Sequence, residues 1–244
     1  MKNIDYDAVS KVYDKVRTGD SEMVGQITRG ISLSSSSLVL DVGCGTANNT
    51  LLFSEATGLP IVGIDFSLGM LSKAIEKVPS VGFLQAPAEE LPFHDDCFEF
   101  AYMTEVLHLL SDFEKVIFEI YRVLQKRGQL CIVTQSHDQI ANRMTSRFFP
   151  ATRYIDQSRY PSIPSLETSL TNAGFTTIES RIYRFAPVRL GQDFLETVER
   201  RGFSMLHKIG EEAYYSGLER IKAAISNGEQ LDYSAGYTFV WATK

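Results

Sequence analysis

Cysteine is scarce in this chain: Cys44, Cys97 and Cys131 are all there is in 244 residues. Three is an odd number, the spacings are long, and none forms a Cys-x-x-Cys pair. That argues against a disulfide framework and against a thiolate zinc site. A reducing, cytoplasmic setting and metal-independent chemistry are the expectations. Long apolar runs are also missing, so no segment approaches the roughly 18 residues of a membrane span. The opening "MKNIDYDAVSKVYDKVR" is charged and has no apolar core, so it does not read as a secretory signal. Positive charge is not in excess. The formal net charge is −6, which disfavours general affinity for nucleic acid. There is no internal repeat, and "SLSSSS" at 32–37 is the one low-complexity patch.

What is present is an ordinary globular composition, 44% apolar and 22% charged, in a chain long enough for one large α/β domain. The charge is uneven: residues 1–136 carry a net of −7 and residues 137–244 a net of +1. Between 143 and 201 every basic residue is arginine: at 143, 147, 153, 159, 181, 184, 189, 200 and 201. Guanidinium forks suit carboxylate or phosphate recognition. Solvated helix faces are the plainer reading of the same pattern.

Periodicity divides the chain. Residues 5–17 and 21–31 have the spacing of short helices. "SLVLDVG", "IVGID", "VGFLQA", "FEFAYMT" and "QLCIVTQ" are short apolar runs of the kind that strands buried on both faces need. Between them lie helical stretches: "NNTLLFSEAT" ended by Gly58, "SLGMLSKAIEKV" with Ser67 as N-cap, and "FEKVIFEIYRVLQKRG" stopped by Gly128. Such alternation specifies a parallel sheet covered by helices. Beyond Gln135 the pattern loosens. "HDQIANRMTSRFF" reads as helical, "PATRYIDQSRYPSIP" as a loop, "SLETSLTNAGF" as a helix, and "TTIESRIYRF" as an antiparallel strand. A mainly helical piece, 189–228, precedes a final strand, "YSAGYTFVWATK". A single domain over 1–244 is expected, with a core at 36–136 and a helical cap from 137–161 and 189–228.

The loop after the first strand carries the first chemical signal. Glycines at 43 and 45 let the backbone turn and approach a ligand. A dinucleotide loop needs Gly-x-Gly-x-x-Gly, with its last small residue at position 48. Here position 48 is asparagine and the small residue is Ala47. Asp41 stands two residues before the first glycine, where it would repel a phosphate and pair with an ammonium. A nicotinamide enzyme is disfavoured on that spacing.

"VLDVGCGTANNT", "VGIDFSLGML", "APAEELPFHDDCFEFAYM" and "EIYRVLQKRGQLCIV" occur in order over about 39–134. Together they resemble the motif set of class I S-adenosylmethionine-dependent methyltransferases, of the small-molecule, ubiquinone/menaquinone-biosynthesis-like group. The resemblance implies a doubly wound, mostly parallel, seven-stranded Rossmann-like sheet with an antiparallel last strand and a helical cap. It implies S-adenosylmethionine as cofactor and S-adenosylhomocysteine as product. On it, Gly43, Cys44 and Gly45 approach the methionine part of the cofactor and Asp41 supports its amino group. Asp65 holds the ribose, Phe66 and Met70 pack on the adenine, Ala88 offers its N–H to an adenine nitrogen, and Met103 gives a carbonyl to the ammonium. Tyr13 and Arg17 close over the carboxylate. Three positions depart from the pattern. Ala47 replaces a glycine and is expected to start the next helix, where alanine is favoured by ~1 kcal/mol. Pro87 stands where aspartate is common, and Glu89 is the candidate to compensate. Glu99 replaces an aspartate and reads as structural. Cys44 reads as a small packed residue rather than a nucleophile. Phe66 and Met70 also fit a core role, and Asp65 a capping one.

Methyl transfer from a sulfonium needs alignment and desolvation, and needs a base only if the acceptor loses a proton. Candidate bases follow the fourth and fifth strands: Glu105 and His108 in "TEVLHLL", His137 and Asp138 in "TQSHDQ". His108 and His137 rank equally. For His137 the start of a helix disfavours imidazolium. "RFFPATRYIDQSRYP" interleaves aromatic residues with arginines, which suits an aromatic or acidic small-molecule acceptor. The same pattern can stack RNA bases, and the acidic balance of the chain weighs against that. The function expected is methyl transfer to a small molecule. An RNA-directed methyltransferase and a non-catalytic cofactor-binding protein used in regulation or assembly are the alternatives.

Overall fold

The computed structural model describes residues 7, 14, 18–234 and 236–244. They separate into two compact units. One contains the described residues up to Thr134, Ile163–Arg181 and Thr238–Lys244; the other contains Gln135–Ser162 and Ile182–Tyr237.

The first unit is built on the alternation legible in the sequence. Helix α1 (Ser21–Arg29) starts at Asp20, whose carboxylate accepts from Met23 N at 2.8 Å, the usual N-cap bond. Strand β1 (Val39–Val42) is buried along its whole length. Helix α2 (Asn48–Thr57) ends at Gly58 in the left-handed region, as glycine C-caps do. Strand β2 (Ile61–Asp65) leads to α3 (Leu68–Lys77), capped by the Ser67 hydroxyl. Strands β3 (Gly82–Gln85) and β4 (Phe98–Thr104), helix α4 (Phe113–Val123) and strand β5 (Leu124–Thr134) follow.

Later segments complete the sheet: helix α8 (Ile163–Ala173), strand β6 (Thr176–Arg184) and strand β9 (Gly236–Thr243). The seven strands run in the order β3-β2-β1-β4-β5-β9-β6. The pairs β1–β2, β2–β3, β1–β4 and β4–β5 are parallel, and β9 is antiparallel to β5. The strand order reverses between β1 and β4, so their carboxyl ends form the switch point where such sheets bind ligands. Leu40, Val42, Ile64, Met103, Ile117 and Ile132 lie in the main core, each 1% exposed or less. Burying one such side chain is worth about 1.5–3 kcal/mol.

The second unit contains short helices α5 (His137–Ala141), α6 (Met144–Phe148) and α7 (Pro150–Arg159), then α9 (Gln192–Glu199) and α10 (Glu211–Ser226). A small ribbon pairs β7 (Val188–Arg189) with β8 (Asp232–Tyr233). Phe148, Phe149, Val198, Leu206, Tyr214 and Ile221 belong to its separate apolar core. The segments 137–161 and 189–228 expected to be helical both fall in this unit.

Three local expectations are corrected. The helix expected to run to Gly128 stops at Val123, because Leu124 pairs with Phe98 and the chain is already a strand. "LQKRG" then passes a register shift at Phe98/Phe100, with Arg127 at φ 66°. Strand pairing outweighs helix propensity there. The "PATRYIDQSR" loop is helix α7, with Pro150 in its first turn, where proline's missing N–H costs nothing. Ala47 does not start α2: it precedes the helix with φ 61°, ψ 27°. The helix expected over 5–17 lies outside the described residues, apart from Asp7 and Asp14, which are helical.

Candidate cofactor site

The glycine loop is pinned by β2. The N–H groups of Gly43 and Cys44 both donate to Ile64 O, at 2.8 and 2.9 Å. Gly43 sits at φ 74°, and a Cβ there would lie 2.5 Å from a Val106 methyl, so glycine is required on both counts. Gly45, at φ 57°, faces open space: a Cβ there would meet nothing within 4 Å. Ala47 holds the same left-handed turn while fully buried. That conformation costs an L-residue roughly 1–2 kcal/mol, so Ala47 is a strained residue rather than a helix former.

Two carboxylates lie beside this loop. Asp65, at the tip of β2, accepts from Gly45 N and Ser67 N, both at 2.9 Å. Burial pushes its carboxyl above the ordinary range, and those backbone N–H groups pull it back. Asp41 is 2% exposed. Its Oδ2 accepts from Thr50 Oγ1 at 2.7 Å and from Tyr102 OH at 2.8 Å. Burial raises Asp41 to about 6 against the pull of those hydroxyls, and the charge of Asp65 adds to the rise. Cys44 is buried, and burial followed by the Asp41 and Asp65 charges drives its thiol far up. It is therefore no nucleophile at neutral pH.

Around the loop, Asp7 accepts from Ser67 Oγ and Gly69 N, and Asp14 accepts from Thr46 Oγ1 at 2.6 Å. Lys77 ties Asp14 (3.0 Å) to Thr46 O (2.8 Å). Of the residues expected on the adenine, Phe66 is 76% exposed and so is not a core residue. Met70 is 2% exposed and is part of the core. Ala88 is half-buried, and Glu89 accepts from Ser111 Oγ at 3.0 Å. Met103 is fully buried near the end of β4, in register with Ile132. Tyr13 and Arg17 lie outside the described residues.

Of the two histidines, His108 is half-buried in a 3-10 turn (Leu107–Leu109) just beyond β4. Glu105, between β4 and that turn, is left-handed at φ 57°. His137 belongs to the other unit. Its Nε2 lies 2.9 Å from Tyr160 O. A carbonyl only accepts, so Nε2 carries the proton and any base would be Nδ1. The arginines of that unit are neither all solvated nor all available. Arg143 and Arg159 both pair with Asp156, which is 1% exposed. Arg147, Arg189 and Arg201 make exposed pairs with Glu229, Asp232 and Glu211.

Sequence reasoning missed Thr50, Tyr102 and Asp156. For Tyr102 a signal existed: β1 beside β4 sets Asp41 against Tyr102 in register. Asp156 reaches Arg143 from 13 residues away, a pairing no local pattern marks. Among the described residues no group of His, Cys, Asp and Glu is placed to hold a metal ion, and no helix is long and apolar enough to cross a membrane.

Known proteins bear on this edge. The family model "Methyltransferase domain" matches residues 40–132. A demethylmenaquinone methyltransferase from Lysinibacillus sphaericus is 29% identical over 155 residues, 59% of this chain and 66% of that one. One from Listeria welshimeri is 37% identical over 109 residues, 42% of this chain and 46% of that one. The chain thus covers about half to two thirds of the length of these relatives. Among solved structures, a putative methyltransferase from an antibiotic biosynthesis pathway of Anabaena variabilis superposes with a TM-score of 0.78. It is 20% identical and covers 94% of this chain and 99% of that one, a likeness of fold. The matched stretch carries the strand, the glycine loop and the paired acids described above. Over residues 40–132 this chain is thus similar to the methyltransferase domain and to demethylmenaquinone methyltransferases.

Proposed function

We propose that this protein transfers the methyl group of S-adenosylmethionine to a small-molecule acceptor, leaving S-adenosylhomocysteine. The observation that carries the reading is the acidic edge at the β1/β2 ends: Asp65 bonded to the N–H of Gly45, beside open space at Gly45 and an exposed Phe66. Two acids at this edge disfavour a pyrophosphate and suit a ribose and an ammonium. Gly43, Cys44 and Gly45 would lie along the methionine part, Asp41 near its amino group, Asp65 on the ribose hydroxyls and Phe66 on the adenine. Met70 would support that ring from the core. Ala88, Glu89 and Met103 would complete the adenine and ammonium contacts, and Tyr13 and Arg17 the carboxylate contact.

The cofactor supplies an already activated methyl group on a sulfonium. The protein's share is alignment and exclusion of water. If the acceptor must lose a proton, His108 or Nδ1 of His137 takes it. The names of the relatives support an aromatic acceptor of quinone type.

Calorimetric titration with S-adenosylhomocysteine, with NADH as control, tests the reading. Binding near micromolar is expected, about −8 kcal/mol. Asp65→Ala should weaken it at least tenfold. Binding of NADH but not of S-adenosylhomocysteine would overturn the assignment.

A further inference from the structure

We infer that Tyr102 is a positioning residue for cofactor binding: its phenol, with the Thr50 hydroxyl, clamps Asp41 Oδ2 and leaves Oδ1 as the counter-ion for the cofactor's ammonium. The inference rests on the proposed function and concerns how this chain reads the amino-acid end of its cofactor.

Both donors reach the same oxygen. Thr50 Oγ1 and Tyr102 OH lie 2.7 and 2.8 Å from Oδ2, and Oδ1 accepts from no described residue. Each hydroxyl is fixed from behind. Thr50 sits in the first turn of α2. The Tyr102 ring is held in a column of rings, 4.9 Å from Phe53 and 5.9 Å from Phe100. Register adds to this, because Asp41 and Tyr102 are partners on adjoining parallel strands. A carboxylate held at one oxygen by two rigid donors cannot rotate to hide the other.

The charges facing Asp41 are few. Asp65 on β2 is negative and disfavours a second negative charge, and the Cys44 thiol stays protonated. Burial therefore makes Asp41 easier to protonate, so that near pH 6 about half of it carries a proton until a cation arrives. On binding, that fraction of carboxylic acid loses its proton to solvent, and the cofactor's ammonium takes its place as counter-charge.

Two ligands separate this role from a structural one. S-adenosylhomocysteine carries the amino-acid end; 5′-methylthioadenosine keeps the nucleoside and lacks it. Tyr102→Phe should weaken S-adenosylhomocysteine about tenfold, one charge-assisted hydrogen bond's worth, and leave methylthioadenosine within about twofold. Thr50→Val should do the same. At pH 6 the parent should release about half a proton on binding S-adenosylhomocysteine, measured as heat in two buffers of different ionisation enthalpy; Asp41→Asn should release none. Equal weakening of both ligands, no weakening of either, or equal proton release from Asp41→Asn would overturn the inference while the proposed function stood. A parent that binds neither ligand would overturn both.

Discussion

Replacing Asp156 by asparagine tests what holds the helical unit together. Asp156 is 1% exposed, and its two oxygens serve two different guanidiniums, Arg143 at 2.5 Å and Arg159. The arginine side chains are themselves only 9% exposed. Asparagine keeps one acceptor oxygen and turns an N–H₂ toward the other guanidinium. The charge is lost from both pairs and the acceptor from one, while the cations stay buried. Breaking a buried pair in this way costs about 3–5 kcal/mol. Because the cluster is confined to one unit, hydrogen exchange should quicken by about two to four orders of magnitude in α5–α7 and hold steady in β1, β4 and β5. Glu229→Gln is the control. Its partner is Arg147, the two side chains are 43% and 50% exposed, and such a pair is worth about 1 kcal/mol or less. Replacing Asp156, Arg143 and Arg159 together by leucine and methionines should recover most of the loss, since apolar packing often matches a buried ion pair. A loss below about 1 kcal/mol for Asp156→Asn, or one equal to that of Glu229→Gln, would refute the reasoning.

Other perturbations have equally definite signs. Burial raises Asp41 from 3.8 to about 6, so the folded state holds its proton more tightly than the unfolded chain. Its contribution is complete below about pH 3.8 and is lost as pH rises through 6, about 3 kcal/mol in all. The stability of the parent minus that of Asp41→Asn should fall across that window in denaturant titrations, and parallel curves would contradict it. Ala47→Gly relieves a left-handed alanine by ~1–2 kcal/mol but gives back ~0.4–1 through the unfolded chain and ~0.8 in buried methyl. Its denaturation midpoint should therefore move little, whereas Ala47→Val should lose ~2 kcal/mol or more; a harmless valine would show that the strain is not there. In α10, a Cβ at Gly217 would lie 2.2 Å from the Phe149 ring. Gly217→Ala should lower the thermal midpoint despite a gain of ~1 kcal/mol in helix propensity, and a raised midpoint would count against the close packing.

The cofactor half was legible because local signals and fold agree there. Gly58 and Ser67 do at the helix ends what their chemistry favours, and β1, β2, β4 and the end of β5 are short apolar runs between helical periods. Asp65 could be placed at a strand tip from its distance to Gly45. Most of the misreadings trace to contacts distant in sequence. Leu124 left its helix to pair with Phe98, 26 residues back. Pro150 and the aromatics after it look like loop residues, yet Thr152 and Asp156 turn inward on a helix. The arginines matched both readings offered for them because their partners lie far off in sequence, Arg147 with Glu229 and Arg189 with Asp232. Ala47 was misjudged because helix propensity says nothing of a turn whose φ is set by the loop before it.

The ring column behind the candidate site ends at Trp241, 6.0 Å from Phe100. It is the chain's single tryptophan. Gly30 packs against its indole so closely that a Cβ there would lie 2.4 Å away. The ring therefore works as a built-in optical probe. Its emission follows melting of the sheet unit, and the helical unit, which has tyrosines but no tryptophan, is dark when the indole alone is excited. Following indole emission and far-ultraviolet ellipticity through one heating ramp would show whether the two units melt together or in sequence. No label need be introduced to learn it.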